Sequence, residues 1–409
     1  MADSEDLKQQ IKVNETLIQA ISMSESNRIT SMIGARRGYR TKTGNRTLMR
    51  LLERCYVIGS SPSNREATYP RDKIYGLLGL ASDAEELKIV PNYGDVHSEI
   101  ETAHILTDVT SKLLSSGYVD ILAWCQWPKS IEHLPSWVPD FRMVNEPCSQ
   151  TKADKIFSSS GDSQLRWTEL PEERFLIRGT RVDEIRGVGN PWMPDNTANP
   201  MDQPTVEVAF INKQLFEYLK AASLFSEFAK SNYKGSVEIT ADQWKEAEWR
   251  VPCGDQLWSG NGNNRTRATN VGLDCYTALL KELFLYQLII SHELREEQNQ
   301  PPLFPGFSIN EQVEEYPGLL RSKERGQYRR ALDRQHNRRP FLTQQGYMGL
   351  APTHAKEGDL VAILFGAVQP FVLRRSGLRY KLVGEAYVYG IMDGEFLKMN
   401  PLEEDFELV

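Results

Sequence analysis

Apolar positions along the 409-residue chain follow two periods, a helical one through most of its length and a strand-like one in the last quarter. Over residues 3–24, Leu7, Ile11, Leu17 and Ile21 share a helical face, and the Gly- and Arg-rich run at 34–44 is expected to interrupt that helix. Leu48, Leu51, Leu52 and Cys55 resume helical spacing, and residues 61–64 read as a turn. Within 98–115, Ile105, Val109 and Leu113 recur every four residues, which stacks them on one face, and Gly117 supplies a stop. The aromatic run 118–125 predicts a buried strand or a close-packed connector. Pro135 and Pro139 keep 134–141 out of a helix interior. Residues 148–161 are polar and expected to be exposed, 175–188 are strand-like, and 191–204 read as a loop. Helices are predicted over 206–229, 271–290 and 326–337, with breaks at Pro252 and the Gly-rich 260–264.

Strand-like runs then follow at 341–350, 360–365, 371–375 and 380–388. Gly358-Asp359, Gly366, Ser376-Gly377 and Asp393-Gly394 provide turn chemistry between and after them. The expected class is α+β: a mainly helical body with small β elements and a β-rich carboxyl-terminal unit. The corresponding divisions are an amino-terminal helical extension at 1–44, a core at 45–150, a divergent helical and loop region at 151–339, and the β-rich unit at 340–409.

Composition fits a globular chain, with 40% apolar and 25% charged residues. A net charge of −7 disfavours a surface that coats nucleic acid, although basic residues cluster at 28–50 and at 329–339. Neither cluster has the aromatic interleaving of a base-stacking surface, so there is no clear nucleic-acid signal. The five cysteines, Cys55, Cys125, Cys148, Cys253 and Cys275, form neither a zinc pattern nor a CxxC and read as buried thiols. No phosphate loop, dinucleotide fingerprint, HExxH helix or serine elbow occurs, so neither cofactor nor metal is expected. The apolar run 284–290 is too short for a transmembrane segment, and a cytoplasmic protein is the default expectation. Oligomeric state is left open.

Four stretches carry a more specific pattern. They are Tyr69-Pro70-Arg71-Asp72-Lys73-Ile74-Tyr75-Gly76-Leu77-Leu78-Gly79-Leu80-Ala81, Leu134-Pro135-Ser136-Trp137-Val138-Pro139-Asp140-Phe141, residues 346–359, and residues 370–395. In this order they resemble the fungal heterokaryon-incompatibility (HET) family over about 45–141 and 340–397, which makes 45–150 a partial HET-like core. The usual early aromatic-rich segment of that family is not evident. The resemblance implies a regulatory or protein-interaction protein connected with non-self recognition. The family's similarity to TIR-type domains raises residual NAD processing, although no NAD-cleaving glutamate is carried over. Short relatives in biosynthetic settings suggest another alternative: a cofactor-independent cyclase, isomerase or pericyclic catalyst acting on a small hydrophobic metabolite.

The matched residues offer candidate chemistry. Arg71 presents five donors, suited to clamping the fold or to binding a substrate carboxylate or phosphate. Tyr75 combines a packing ring with a hydroxyl that can join a polar network or the chemistry. Trp137 reads as a packing anchor or a substrate-binding wall. Asp140 caps a turn or, if desolvated beside a ligand, acts as a general base. His354 is the candidate that titrates near neutral pH. Asp359 is expected to hold the Gly358 turn, and Glu385, Asp393 and Glu395 to form a polar rim or neutralise Arg374 and Arg375. A catalytic reading requires Arg71, Tyr75, Trp137, Asp140 and His354 to converge on one cavity.

Overall fold

The computed structural model describes residues 35–42, 44, 46–57, 67–142, 156–193, 206–259, 264–297, 301 and 323–409. The expected helix over 3–24, the turn over 61–64 and most of the 191–204 loop lie outside them. The chain forms two compact units: Met1–Trp124 with Lys129–Glu146, and Cys125–Pro128 with Pro147–Val409.

The first unit is helical. Residues 35–41 are helical where an interruption was expected. Arg36, Arg37 and Arg40 are exposed there, and arginine is a good helix former. Helix α1 (Leu48–Leu52) runs into a π-helical turn at Glu53–Val57. Its free Leu48 N–H is capped by Asp83 Oδ1 at 2.8 Å. Helices α2 (Asp72–Leu78) and α3 (Ala84–Leu87) follow. Helix α4 (Glu99–Ser115) is capped by Ser98, whose Oγ accepts the Glu101 N–H at 3.1 Å. It buries Leu106, Val109 and Leu113, while Ile105 sits at the margin of that face. The run after Gly117 is a connector in 3₁₀ form, Val119–Trp124, rather than a strand. All its apolar side chains are buried, so no face is left to alternate.

The second unit is built on a sheet that closes on itself. Strand β1 (Trp167–Leu170) leads into the long β2 (Arg174–Val188). Helices α5 (Val206–Asn232) and α6 (Ala241–Arg250), the hairpin β3 (Gln256–Ser259) and β4 (Asn264–Arg267), and helices α7 (Asn270–Glu297) and α8 (Lys323–Asp333) follow. The remaining strands are β5 (Arg338–Thr343), β6 (Met348–Pro352), β7 (Leu360–Leu364), β8 (Phe371–Ser376), β9 (Arg379–Glu385), β10 (Tyr387–Val388) and β11 (Glu403–Leu408).

One ring of pairings runs β2–β11–β9–β8–β7 and returns to β2. The ring closes at each strand, although the β9–β11 seam is a short parallel contact at one end of the two strands. β11 pairs antiparallel with the first half of β2 and meets β9 in parallel at Leu408 and Tyr380. β7 takes the other side of β2, with a register shift between Arg181 and Asp183. A second shift at Ile185/Gly187 turns the end of β2 toward β5, which begins the branch β5–β6–β10. Val182, Ile185, Val361, Ile363, Val372 and Val383 fill the core between these strands. The helices pack a second core around Leu215, Leu219, Trp249, Leu279 and Tyr328.

Four expectations change in this unit. The run at 341–350 is two strands, β5 and β6, turned at Gly346. Gly346 has φ 92°, and a Cβ there would meet the Tyr233 backbone at 2.9 Å. The run at 380–388 is broken between β9 and β10. Phe157, Ser159 and Ser160 are buried, although 148–161 was expected to be exposed. The sheet also crosses the expected division at 339/340, because β2 pairs with β5, β7 and β11. Among the described residues, no helix is long and apolar enough to cross a membrane.

Candidate functional site

The two proline-bounded motifs meet inside the first unit. Lys73 Nζ donates to the Phe141 carbonyl at 2.5 Å, and both residues are buried. Arg71 precedes α2 and is fully buried. Its Nη1 donates to Asn92 O at 3.2 Å, and its Nη2 to Asp95 O at 3.2 Å and Thr102 Oγ1 at 2.8 Å. One guanidinium therefore ties the loop before α4 to the helix itself. Asp72 does not answer Arg71 with a short ion pair; its carboxylate acts instead on the nearby Tyr93 hydroxyl. Desolvation first, then the Asp72 carboxylate, hold that hydroxyl above its ordinary value.

Asp140 is a clasp. Its Oδ2 accepts Ser130 N at 2.6 Å, Ser130 Oγ at 2.7 Å and Ile131 N at 3.1 Å. Its Oδ1 accepts Arg142 N at 2.9 Å. With both oxygens engaged, the carboxylate braces the turn that carries the second motif. Trp137 is fully buried, and Phe141, four residues on, meets Trp124 edge-on with ring centroids 6.5 Å apart.

A cavity of about 310 Å³ lies between α4 and the 89–92 segment, lined by Tyr75, Ile89, Val90, His104, Ile105 and Lys112 among others. Of the four candidates in this unit, Tyr75 alone lines it; Arg71, Trp137 and Asp140 do not. The charged side chains around it are engaged within the fold: Lys112 Nζ donates to Asp108 at 2.7 Å, and Glu101 accepts from Asn92 Nδ2 at 3.0 Å and from the Asp95 backbone N–H at 2.8 Å. Beside the cavity, Val90 is 78% exposed, Tyr93 55% and Ile100 56%. The Tyr93 ring rests edge-on against Tyr75, with centroids 5.5 Å apart. Sequence reasoning missed Asn92, Tyr93, Asp95 and Thr102. Their available signal was the turn-forming Asn92-Tyr93-Gly94-Asp95 run just before the Ser98 cap.

His354 belongs to the second unit. Its side chain is exposed, and its carbonyl accepts Arg374 Nη2 at 2.6 Å. Arg374 also grips Asp359 with two bonds of 2.8 Å, while Asp359 Oδ2 accepts Lys356 N at 2.8 Å. The other acids expected beside Arg374 go elsewhere. Glu385 pairs with buried Arg338 at 2.5 Å, and Asp393 with Arg267 at 3.0 Å. Arg267 and Arg250 flank buried Asp255 at 2.7 and 2.6 Å. Desolvation keeps the Asp255 carboxyl above its ordinary value despite both arginines. Among the described residues, no three His, Cys, Asp or Glu side chains are grouped to hold a metal ion.

The closed sheet has a counterpart among known proteins. Residues 175–409, from β2 through β11, match the Het-6 beta-barrel domain family. Over 391 residues the chain is 30% identical to "Heterokaryon incompatibility protein 6, OR allele" of Neurospora crassa, an alignment covering 89% of this chain and 53% of that protein. The chain thus spans about half the length of that curated relative. No solved structure matches it. The family match covers more than half of the chain and begins well before the expected 340 boundary. With that match over more than half of its residues, the chain belongs to the Het-6 beta-barrel domain family.

Proposed function

We propose that this protein is an intracellular regulatory protein of the heterokaryon-incompatibility type, acting by binding another protein. One observation carries the reading. Arg71, the most distinctive polar residue of the first motif, faces inward and ties the loop that carries Val90 and Tyr93 to the first turn of α4, which carries Ile100; all three side chains are exposed. Large exposed apolar side chains on a rigid support suit a protein contact, and tyrosine is among the residues that dominate such contacts. The name of the Neurospora crassa relative, a heterokaryon incompatibility protein, is in keeping with a recognition role.

The enzyme alternatives have less support. A cyclase, isomerase or pericyclic catalyst for a small hydrophobic metabolite needs convergent polar groups, and Asp140 and Arg71 bond within the fold. Residual NAD processing rests on family similarity alone. Affinity capture with the intact protein, alongside Val90→Asp and Tyr93→Asp, tests the proposal. Selective loss of a bound protein in these variants supports it. Capture that the substitutions leave unchanged counts against it.

A further inference from the structure

The first unit carries a basic surface outside the candidate site. Residues 35–41 are helical, and Ala35, 4% exposed, marks the inner face. At about 100° per residue, Arg36, Arg37 and Arg40 fall within about 100° of one another on the side away from Ala35. All three are exposed. Exposed Lys42 follows the helix, and half-buried Arg46 sets its guanidinium carbon 6.0 Å from the centre of the Tyr39 ring. The Arg46 carbonyl accepts Ser82 N at 2.9 Å, which fixes the base of the segment.

Among the described residues, none of these five cations has a carboxylate within ion-pair distance, whereas Arg50, the next basic residue, is paired with Glu53. Like charges on one helix face repel one another, and an array of anions relieves that repulsion.

Shape and composition select the partner. The arginines radiate from the outside of a helix rather than converge on a point, so they fit an extended plane of anions. Of the large apolar side chains described in 35–57, only Tyr39 is exposed, at 50%. Protein contacts bury a core of apolar and aromatic side chains from which charge is depleted, and here charge occupies the face. A tyrosine beside basic side chains suits the lipid headgroup region, where one end of the ring is apolar and the hydroxyl is wet.

We propose that this face docks the protein on an anionic lipid membrane. Arg36, Arg37 and Arg40 lie against the headgroup phosphates, with Lys42, Arg46 and Tyr39 beside them. Docking is peripheral and needs no bilayer-spanning segment. Each basic residue near such a surface is worth about fivefold in affinity, and salt screens the contribution. The surface is separate from the one at Val90 and Tyr93, and its test does not depend on that reading.

The full chain is co-sedimented with vesicles of phosphatidylcholine alone and of phosphatidylcholine with about one-third phosphatidylserine. Arg36→Glu/Arg37→Glu/Arg40→Glu is compared with Lys356→Glu/Arg375→Glu/Lys398→Glu, which makes the same change in net charge at exposed residues of the second unit. The parent and the second variant are expected to bind the anionic vesicles and not the neutral ones, with binding that falls steeply from about 0.1 to about 0.5 M salt. The arginine variant is expected to bind about a hundredfold more weakly. Circular dichroism checks each fold, and if that variant unfolds, Arg36→Gln/Arg40→Gln decides, with an expected loss of about twentyfold. Absence of anionic-vesicle binding by the parent, or an equal loss in the charge-matched variant, overturns the assignment. Capture of a polyglutamate peptide through this face without vesicle binding overturns it in favour of an acidic protein partner.

Discussion

Arg71 Nη2 donates to Thr102 Oγ1 over 2.8 Å, while the same hydroxyl donates to the Ser98 carbonyl at 2.9 Å. The arginine thus grips the first turn of α4 at the point where Ser98 caps it. Thr102→Val keeps the shape but removes the acceptor, and should cost about 1–3 kcal/mol in urea unfolding. Arg71→Lys loses the planar fork and should cost at least as much. Unchanged midpoints in both proteins would show that the clamp contributes nothing.

Asp140 accepts four hydrogen bonds, three of them at one oxygen. In Asp140→Asn, an amide NH₂ faces donors whichever way the side chain turns. The expected loss is about 2–3 kcal/mol of stability, since bonds to an ionised acceptor are the stronger ones. A general base held ready for chemistry would instead tolerate the isostere with stability intact. Denaturation followed by tryptophan fluorescence separates the two.

Arg338 and Glu385 form an ion pair with side chains only 5% and 1% exposed. Removing one partner strands a buried charge, so Glu385→Ala should destabilise the second unit by about 3–5 kcal/mol. Replacing both, as Arg338→Met with Glu385→Leu, should recover most of that loss. A double substitution as damaging as the single one would mean that the pair is not the source of the penalty.

Strand β11 is stitched to its neighbours by charge: Glu403 to Arg178 and Arg166, Asp405 to Arg178, and Glu407 to Arg174 and Arg379. The hydrogen bond from Arg178, followed by that from Arg166, holds the Glu403 carboxyl below its ordinary range. A carboxyl lowered in the folded state contributes fully above its unfolded value and loses that contribution as pH falls through the folded one. Amide exchange of Phe406 and Leu408 should therefore accelerate, beyond the intrinsic rate change, as pH drops below the ordinary carboxylate range. Glu403→Gln should flatten that dependence. Identical protection profiles for the two proteins would contradict it.

The same strand shows why parts of the fold were not legible in the sequence. Among the six residues of β11 only Phe406 and Leu408 are apolar, and most of its basic partners lie more than 200 positions away, as with Arg178 and Glu403. No local pattern announces such a pairing. The α4 helix was legible because Val109 and Leu113 repeat on a face that the fold buries. The apolar run ending at Trp124 had no polar face to set a period, so strand and connector were indistinguishable until the 3₁₀ turn was seen. In the candidate site, the two motifs were visible as sequence, but the roles of Arg71 and Asp140 depend on Asn92, Thr102 and Ser130, which the motifs do not contain.

Quantitative crosslinking of the intact protein in cell extract addresses the recognition surface most directly. It compares the parent with Val90→Asp/Tyr93→Asp and with Leu378→Asp, a control at a residue 99% exposed in the second unit. A single protein partner whose yield falls at least tenfold in the double variant, and not in the control, is the predicted result; the loss corresponds to about 1.4 kcal/mol or more. A partner retained equally by all three proteins would contradict the account.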